Sequence, residues 1–478
     1  MRPRASRLPG LKDASDSKSS LHFASKASKW LDDEHLVGRG GRTNWKKQYK
    51  LRHNWAKGTC AVNEIHVAEE APIPPVLVQM HEGVIYMADV TDGLRAWSAK
   101  GDRNLQAHIR FRQSHGPPTA LAVDTDKGNA RVTRLIIGFE DGTFELYRLG
   151  GDGTSFELVH GHPKSSNGVI STVALAYPYA LTMTATHVLS LYAFTGIDGA
   201  GKHSEKRDPP RLLHSLKSNT VWPPLTTSLR ISGPEIIVSI AYAVPTYLSG
   251  WTVGIQEMRI GQEGSLLGSR LASAIDQHYR PLAFSSLPVT HHLPALTGGF
   301  LTTSTTLEMR HIHSKPTSLS YTHPYLLVSH PDNTLTLYLV SSTADALSIG
   351  IGSRLWGHTS SVSGAHVGGR GKAVSVSRRG DELRIWELEG GFASATAKRR
   401  LATGDLSVQI RAEKHSTDEI AQTGLELRSG RAAAAATADD ASSELTLTRG
   451  WIGFDDENVV VLKEQSHGRQ ALVVYDFT

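Results

Sequence analysis

An all-β fold of repeated four-stranded blades closed into a ring is predicted by three features of this 478-residue chain. Short segments of alternating apolar residues end in an aromatic, as in Leu335-Thr336-Leu337-Tyr338, and a period of two marks a half-buried strand. Turn pairs precede them: Asp92-Gly93 before Trp97, Asp141-Gly142 before Tyr147 and Asp332-Asn333 before Tyr338. Gly and Asn accept positive φ at little cost, and Asp can accept from nearby backbone N–H groups, so such pairs suit hairpins. The aromatics are evenly spaced, with 147 − 97 = 50, 192 − 147 = 45 and 386 − 338 = 48 residues between anchors. These steps fit one propeller blade each.

Taken in order, residues 1–20 are rich in Ser, Lys, Arg and Pro and are expected to form a disordered basic arm. Residues 21–58 read as a helical segment interrupted by Gly38-Arg39-Gly40-Gly41, and residues 59–478 are assigned to the ring. Blades are expected to begin near Val76, after Pro72, Pro74 and Pro75. Polar insertions near 196–210 and 413–443 read as surface loops, the second holding the alanine run Ala432–Ala436 and the pair Asp439-Asp440. The interval 338 − 192 = 146 is about three steps, so two anchors without the signature are expected there. Glu235–Ala243 with Trp251–Ile260, and Leu301–Ile312, are the candidates. Ala174-Leu175-Ala176-Tyr177-Pro178-Tyr179 is echoed by Leu319-Ser320-Tyr321-Thr322-His323-Pro324-Tyr325. At the C-terminus, Val459–Leu462 and Leu472–Tyr475 are too apolar to leave exposed and are expected to close the ring against Val62–Val67. That closure favours seven blades over the alternative count of eight.

The unit ending Leu383-Arg384-Ile385-Trp386, with Gly357-His358 upstream, resembles a WD-type repeat. The resemblance implies a WD-type β-propeller in which the Gly-His histidine, a turn Asp and the strand-end Trp share one hydrogen-bonded network. His358 is therefore assigned to a blade and not to catalysis. The repeats depart from the pattern in places: Thr186-His187 stands before Tyr192, and Gly380-Asp381 reverses the usual order before Trp386. Only Gly161-His162 and Gly357-His358 offer the pair.

Between arm and ring, Trp45-Lys46-Lys47-Gln48-Tyr49-Lys50 and Asn54-Trp55-Ala56-Lys57-Gly58 resemble the junction of F-box/WD-repeat proteins, where an F-box helix leads into a propeller. Ala24-Ser25-Lys26-Ala27-Ser28-Lys29-Trp30-Leu31 is similar to the basic-Trp helix of an F-box's second half, and Gly453–Phe477 suits the final blade of such proteins, fungal ones in particular. The first half of an F-box is not recognisable, because Leu8-Pro9 is followed by Gly10-Leu11-Lys12 and not by an acidic residue and an apolar helix. The resemblance implies a substrate-recognition subunit of a cullin-type ubiquitin ligase. A Skp-type adaptor would touch Trp30, Trp45 and Tyr49, and the propeller would hold the target protein. The alternative is a propeller scaffold with no ligase link.

Composition narrows the remaining classes. Hydrophobic residues make up 39% of the chain, and no apolar run approaches the roughly 18 residues that span a bilayer. A single cysteine, Cys60, cannot form an internal disulfide, which fits a reducing cytoplasmic or nuclear setting. Residues 1–58 hold 14 Lys/Arg and 5 Asp/Glu, so +9 of charge sits there and the rest carries 5 − 9 = −4. No aromatic-interleaved basic face accompanies that segment, so nucleic acid is not an expected partner. Nucleophile-elbow, metal-helix and phosphate-loop motifs are missing from the sequence, and neither cofactor nor catalytic residue is assigned. Asp124-Thr125-Asp126-Lys127-Gly128 reads as a surface turn, and His291-His292 and His311/His313 as ordinary histidines. The candidate target-binding residues are Arg378 and Arg379, in the turn before the Trp386 strand. Their planar guanidinium forks suit a carboxylate or phosphate.

Overall fold

The computed structural model describes residues 45–478 except 102, 113–114, 125–131, 152, 195–208, 218–220, 246–249, 275–313, 370, 381, 389–406, 413–446 and 466–467. One helix, α1 (Trp45–Lys57), leads into strand β1 (Thr59–Ala68), and seven sheets follow around a ring. Blades 1 to 6 span Leu77–Ile109, Pro118–His162, Ile170–Lys217, Trp222–Ser273, Ser318–Leu355 and Val362–Gln409, each with its strands in sequence order. Blade 7 combines the two ends of the chain. Its first three strands, Leu447–Phe454, Asn458–Glu464 and Gln470–Asp476, come from the C-terminus, and its fourth is β1.

Among the described residues, seven buried apolar clusters occupy the seven seams between neighbouring blades. Strand alternation supplies both seams of a blade. In Arg134–Phe139, Leu135, Ile137 and Phe139 pack toward blade 1 while Ile136 packs toward blade 3. Val459 and Val461 likewise face blade 6, and Val460 and Leu462 face blade 1. A middle strand buried on both sides reads as a continuous apolar run. At the seam of blades 4 and 5, fully buried Glu257 adds a polar tie. It accepts from Arg270 at 2.8 Å, Arg230 at 3.1 Å and the Ser342 hydroxyl at 2.8 Å.

The five aromatics Trp97, Tyr147, Tyr192, Tyr338 and Trp386 are equivalent. Each lies on its blade's third strand and pairs with the second residue of the second strand: Ile85, Leu135, Ala180, Leu326 and Ala373 respectively. The same register places Ile260 opposite Ile236 in blade 4 and Tyr475 opposite Val459 in blade 7. The expectation of two unsigned anchors between Tyr192 and Tyr338 is therefore corrected. The described residues hold one blade in that interval, and the candidate Leu301–Ile312 lies outside them. Spacing overcounted because blade 4 has strands of 11 residues and the link to blade 5 is long. The echoed segments are equivalent hairpins joining first to second strands in blades 3 and 5.

Helix α1 is bound to the ring by its spacing. Leu51 and Trp55, four residues apart and so on one helical face, enter the seam between blades 6 and 7. The Trp55 ring stacks on Phe477 at 4.3 Å, and its Nε1 donates to the Asp456 carbonyl at 2.9 Å. Asn54 donates to the Phe477 carbonyl at 2.9 Å. Gly58 ends the helix at φ 70°, where a Cβ would stand 2.4 Å from the Gln409 carbonyl oxygen, so only glycine fits.

Removing residues 470–478 would delete the third strand of blade 7, strand β1's partner over Ala61 to Ala68, and the Phe477 stack. Two sheet edges and the apolar seam would be exposed. We expect the shortened chain to aggregate and its thermal midpoint to fall; size-exclusion chromatography and a melting curve check this.

Candidate functional site

Antiparallel strands send alternate turns to opposite faces of the ring. The upper face carries the turns from second to third strands and the links between blades, as shown by Asn333 of blade 5 donating to the Thr359 carbonyl in the link to blade 6. The lower face carries the turns from first to second and from third to fourth strands. There Lys100 of blade 1 pairs with Glu457 of blade 7 at 2.6 Å, and Arg103 with Asp476 at 3.2 Å. Helix α1 lies on this lower face, where Lys47 also meets Glu457 at 3.0 Å.

On the upper face, blade 6 contains the most complete side-chain network. Trp386 Nε1 donates to the Ser375 hydroxyl at 2.8 Å, and His358 Nε2 lies 2.6 Å from the same hydroxyl. His358 Nδ1 is 3.4 Å from Glu382, whose carboxylate accepts from the Thr359 amide at 2.8 Å and from Arg384 at 2.8 Å. Burial raises the Glu382 pKa, but the hydrogen bonds from Thr359 and Arg384 and the nearby His358 outweigh it and hold the group below the usual carboxylate range. The reversed Gly380-Asp381 order is explained by this geometry: the carboxylate in the network belongs to Glu382, and Asp381 lies outside the described residues.

Other blades fill the equivalent place differently. In blade 2, His115 approaches Glu145 at 3.2 Å, Thr143 donates to Asp141 at 2.6 Å, and Tyr147 donates to Glu145 at 2.5 Å. No Gly-His pair marks His115, although it precedes Asp141 by 26 residues, close to the 24 that separate His358 from Glu382. Gly161-His162 lies instead on an outer strand, with His162 stacked on Phe144 at 4.5 Å. Blade 1 substitutes an ion pair, Arg95 to Asp89 at 2.6 Å. Blade 5 uses His330 against Thr336 at 2.9 Å. These networks lock hairpins. Among the described residues no group of three or more His, Cys, Asp or Glu is placed to hold a metal ion, and no helix is long and apolar enough to cross a membrane.

Comparison with known proteins assigns this architecture. Residues 60–478 match the family described as the F-box protein pof12 beta-propeller. The chain belongs to this F-box propeller family. No curated protein matches the chain. Among solved structures, it is similar to the WD40 beta propeller domain of Doa1 at 11% identity, covering 87% of this chain and 96% of that one, with a TM-score of 0.41. Similar values hold for the Cps50 (Swd1) propeller of Myceliophteria thermophila (11%, 87% and 98%, 0.43) and the C-terminal WD40 domain of Sif2 (11%, 87% and 99%, 0.43).

Within this family member, Arg378 and Arg379 occupy the upper-face turn of blade 6 and are both exposed. The Arg378 amide donates to the Ser361 carbonyl at 2.8 Å, which holds the turn against the link from blade 5. Trp45 is the first residue of α1. Tyr49 is 73% exposed and stacks on His53 at 6.1 Å. Trp30, His291, His292, His311, His313 and residues 125–128 lie outside the described residues. The structure thus places Arg378 and Arg379 on the face opposite the helix that carries Trp45 and Tyr49. Sequence reading missed Trp55, Asn54 and Gly58 as the group that fastens the helix, although all three stand in the junction motif itself.

The depressed Glu382 pKa gives a pH test. Its stabilising effect is fully present above the ordinary glutamate pKa of about 4.3 and is lost as pH falls through the lower folded value. Glu382→Gln should therefore be less stable than the native chain at neutral pH, with the gap closing in more acidic buffer. Denaturant melts across that range measure it.

Proposed function

We propose that this chain is the substrate-recognition subunit of a cullin-type ubiquitin ligase. The observation that carries the reading is membership of the F-box propeller family over residues 60–478. The geometry supports it: α1, which follows the segment that resembles an F-box, is fastened to the lower face by Trp55. The exposed side of α1, with Lys46, Tyr49, Lys50 and His53, is available to a Skp-type adaptor together with Trp30 and Trp45. The upper face holds the target protein. In this arrangement the chain contributes no reacting group; it raises the local concentration of target near the ligase's transfer centre.

Arg378 and Arg379 read an acidic or phosphorylated segment of the target through charge-assisted hydrogen bonds. The two side chains are exposed, so Arg378→Ala with Arg379→Ala should leave the chain folded, which a melting curve checks beside the binding measurement. Capture of a target identified by proximity labelling should weaken by about 1–3 kcal/mol; equal binding by the double variant rejects this pair as the site.

A second reading, a propeller scaffold without a ligase link, is favoured by Leu8-Pro9-Gly10-Leu11-Lys12, which lacks the acidic position that opens an F-box. Co-purification of the full chain with a recombinant Skp-type adaptor separates the two. Retention of the adaptor, reduced by Tyr49→Ala, is expected for the ligase subunit, and an adaptor that elutes alone establishes the scaffold.

A further inference from the structure

Blade 4 does not match the height of its neighbours. Its second strand, Glu235–Pro245, has 11 residues where that of blade 3, Tyr179–Thr184, has 6. The same anchor register, Ile236 opposite Ile260 and Ala180 opposite Tyr192, occurs in both blades, so the strand of blade 4 continues five residues, about 16 Å at 3.3 Å per residue, further from its anchor. At the upper ends of these strands stand Trp222, which begins the first strand and is 44% exposed, and Trp251, which begins the third. Their rings meet edge to face at 6.2 Å and 79°, forming a corner. Exposed Lys315 places its Nζ 5.3 Å from the Trp251 ring centre, and it makes no ion pair among the described residues.

We infer that this corner is the apolar half of a peptide-binding site, which takes an aliphatic or aromatic side chain against Trp222 and Trp251 and a carboxylate two residues away on Lys315. The inference rests on the reading that the upper face holds a protein target, and it names a second contact for that target. An exposed Trp222 and a half-buried Trp251 beside a cation have the composition of an interface hot spot. In an extended peptide, side chains two residues apart point the same way about 7 Å apart, which suits the separation of Lys315 from the tryptophan corner. Charge complementarity selects an acidic segment. Lys217, Arg378 and Arg379 are also exposed on the upper side of blades 3 and 6, while Asp332, in the turn of blade 5 between them, is already paired with Arg354. A single-stranded nucleic acid is less suited, because the edge-to-face pair leaves no parallel slot for a base and only one cation adjoins it.

The test uses the full chain and a displayed library of random dodecapeptides, with selected peptides re-measured by fluorescence anisotropy. Selection should enrich an aliphatic or aromatic residue two positions from Asp or Glu. Trp222→Ser with Trp251→Ser, and separately Lys315→Glu, should each weaken those peptides by about tenfold or more at an unchanged thermal midpoint. The milder Trp251→Phe should retain most of the binding, which separates loss of the contact from loss of the fold. If selected peptides are insensitive to the tryptophan variants but lost with Arg378→Ala and Arg379→Ala, this inference is wrong and the upper-face reading survives. Sensitivity to the tryptophans alone upholds the inference and removes the arginine pair. Absence of the apolar-acidic pattern, or displacement of the peptides by a twelve-nucleotide oligouridylate, overturns it.

Discussion

The ring depends on one strand pairing. Strand β1 lies antiparallel to Gln470–Asp476 from Ala61 opposite Asp476 to Ala68 opposite Gln470, so residues some 400 apart in sequence share a sheet. Without it, blade 7 would present a bare edge and the apolar side chains at its seams with blades 1 and 6 would face water. Each seam cluster draws on two blades, and a blade cannot bury both of its faces until it has two neighbours. Closure therefore sets the geometry of all seven seams. The outer edge of β1 is itself shielded by a short parallel contact, Thr59 with Arg411 and Cys60 with Ala412, which leaves less unpaired strand for association with another chain.

The same closure orients the N-terminal helix. β1 enters blade 7 from the lower face, and Gly58 allows only a tight exit from α1, so the helix has to lie across the seam of blades 6 and 7. Trp55 fills that seam by stacking on Phe477 and is approached from the other side by the Lys372 ammonium at 4.3 Å. A stacked aromatic pair contributes about 0.5–1.5 kcal/mol beyond the area it buries, and two side-chain hydrogen bonds to carbonyls near the C-terminus add direction. The consequence is a defined attachment point on the lower face and a separate upper face free of the helix.

Equivalent positions in the blades solve one problem with different chemistry. A buried His, Ser, Trp and carboxylate lock blade 6; His, Thr, Tyr and two carboxylates lock blade 2; an Arg–Asp pair locks blade 1. Each supplies partners to polar groups of a hairpin that would otherwise be buried without them. Blade 4 instead carries Ile260 at the anchor and gains its order from longer strands and the Glu257 cluster. Relaxing the repeat in this way accompanies strands of 11 residues in blade 4, and this length distinguishes its sector of the ring from the others.

The local chemistry of the chain was enough to identify strands, turns and ring. Alternating apolar residues and the Asp-Gly and Asp-Asn turns are set by backbone geometry within a few residues, which is why Gly93 and Asn333 have the positive φ that their identities imply and why the five aromatics fall in one register. Apolar strands at both ends of the sequence likewise announced the closure, since neither could remain exposed. Blade number was harder, because spacing along the chain measures loops as well as strands, and blade 4 with its long link occupies the length of two ordinary repeats. The site was less legible still. Which carboxylate joins His358, that His115 and not His162 serves blade 2, and which residues share a face all depend on contacts between side chains far apart in sequence. Only the closed ring decides these, because its turns assemble each face from seven blades at once, and no local pattern encodes which of two sides of a strand will meet which neighbour.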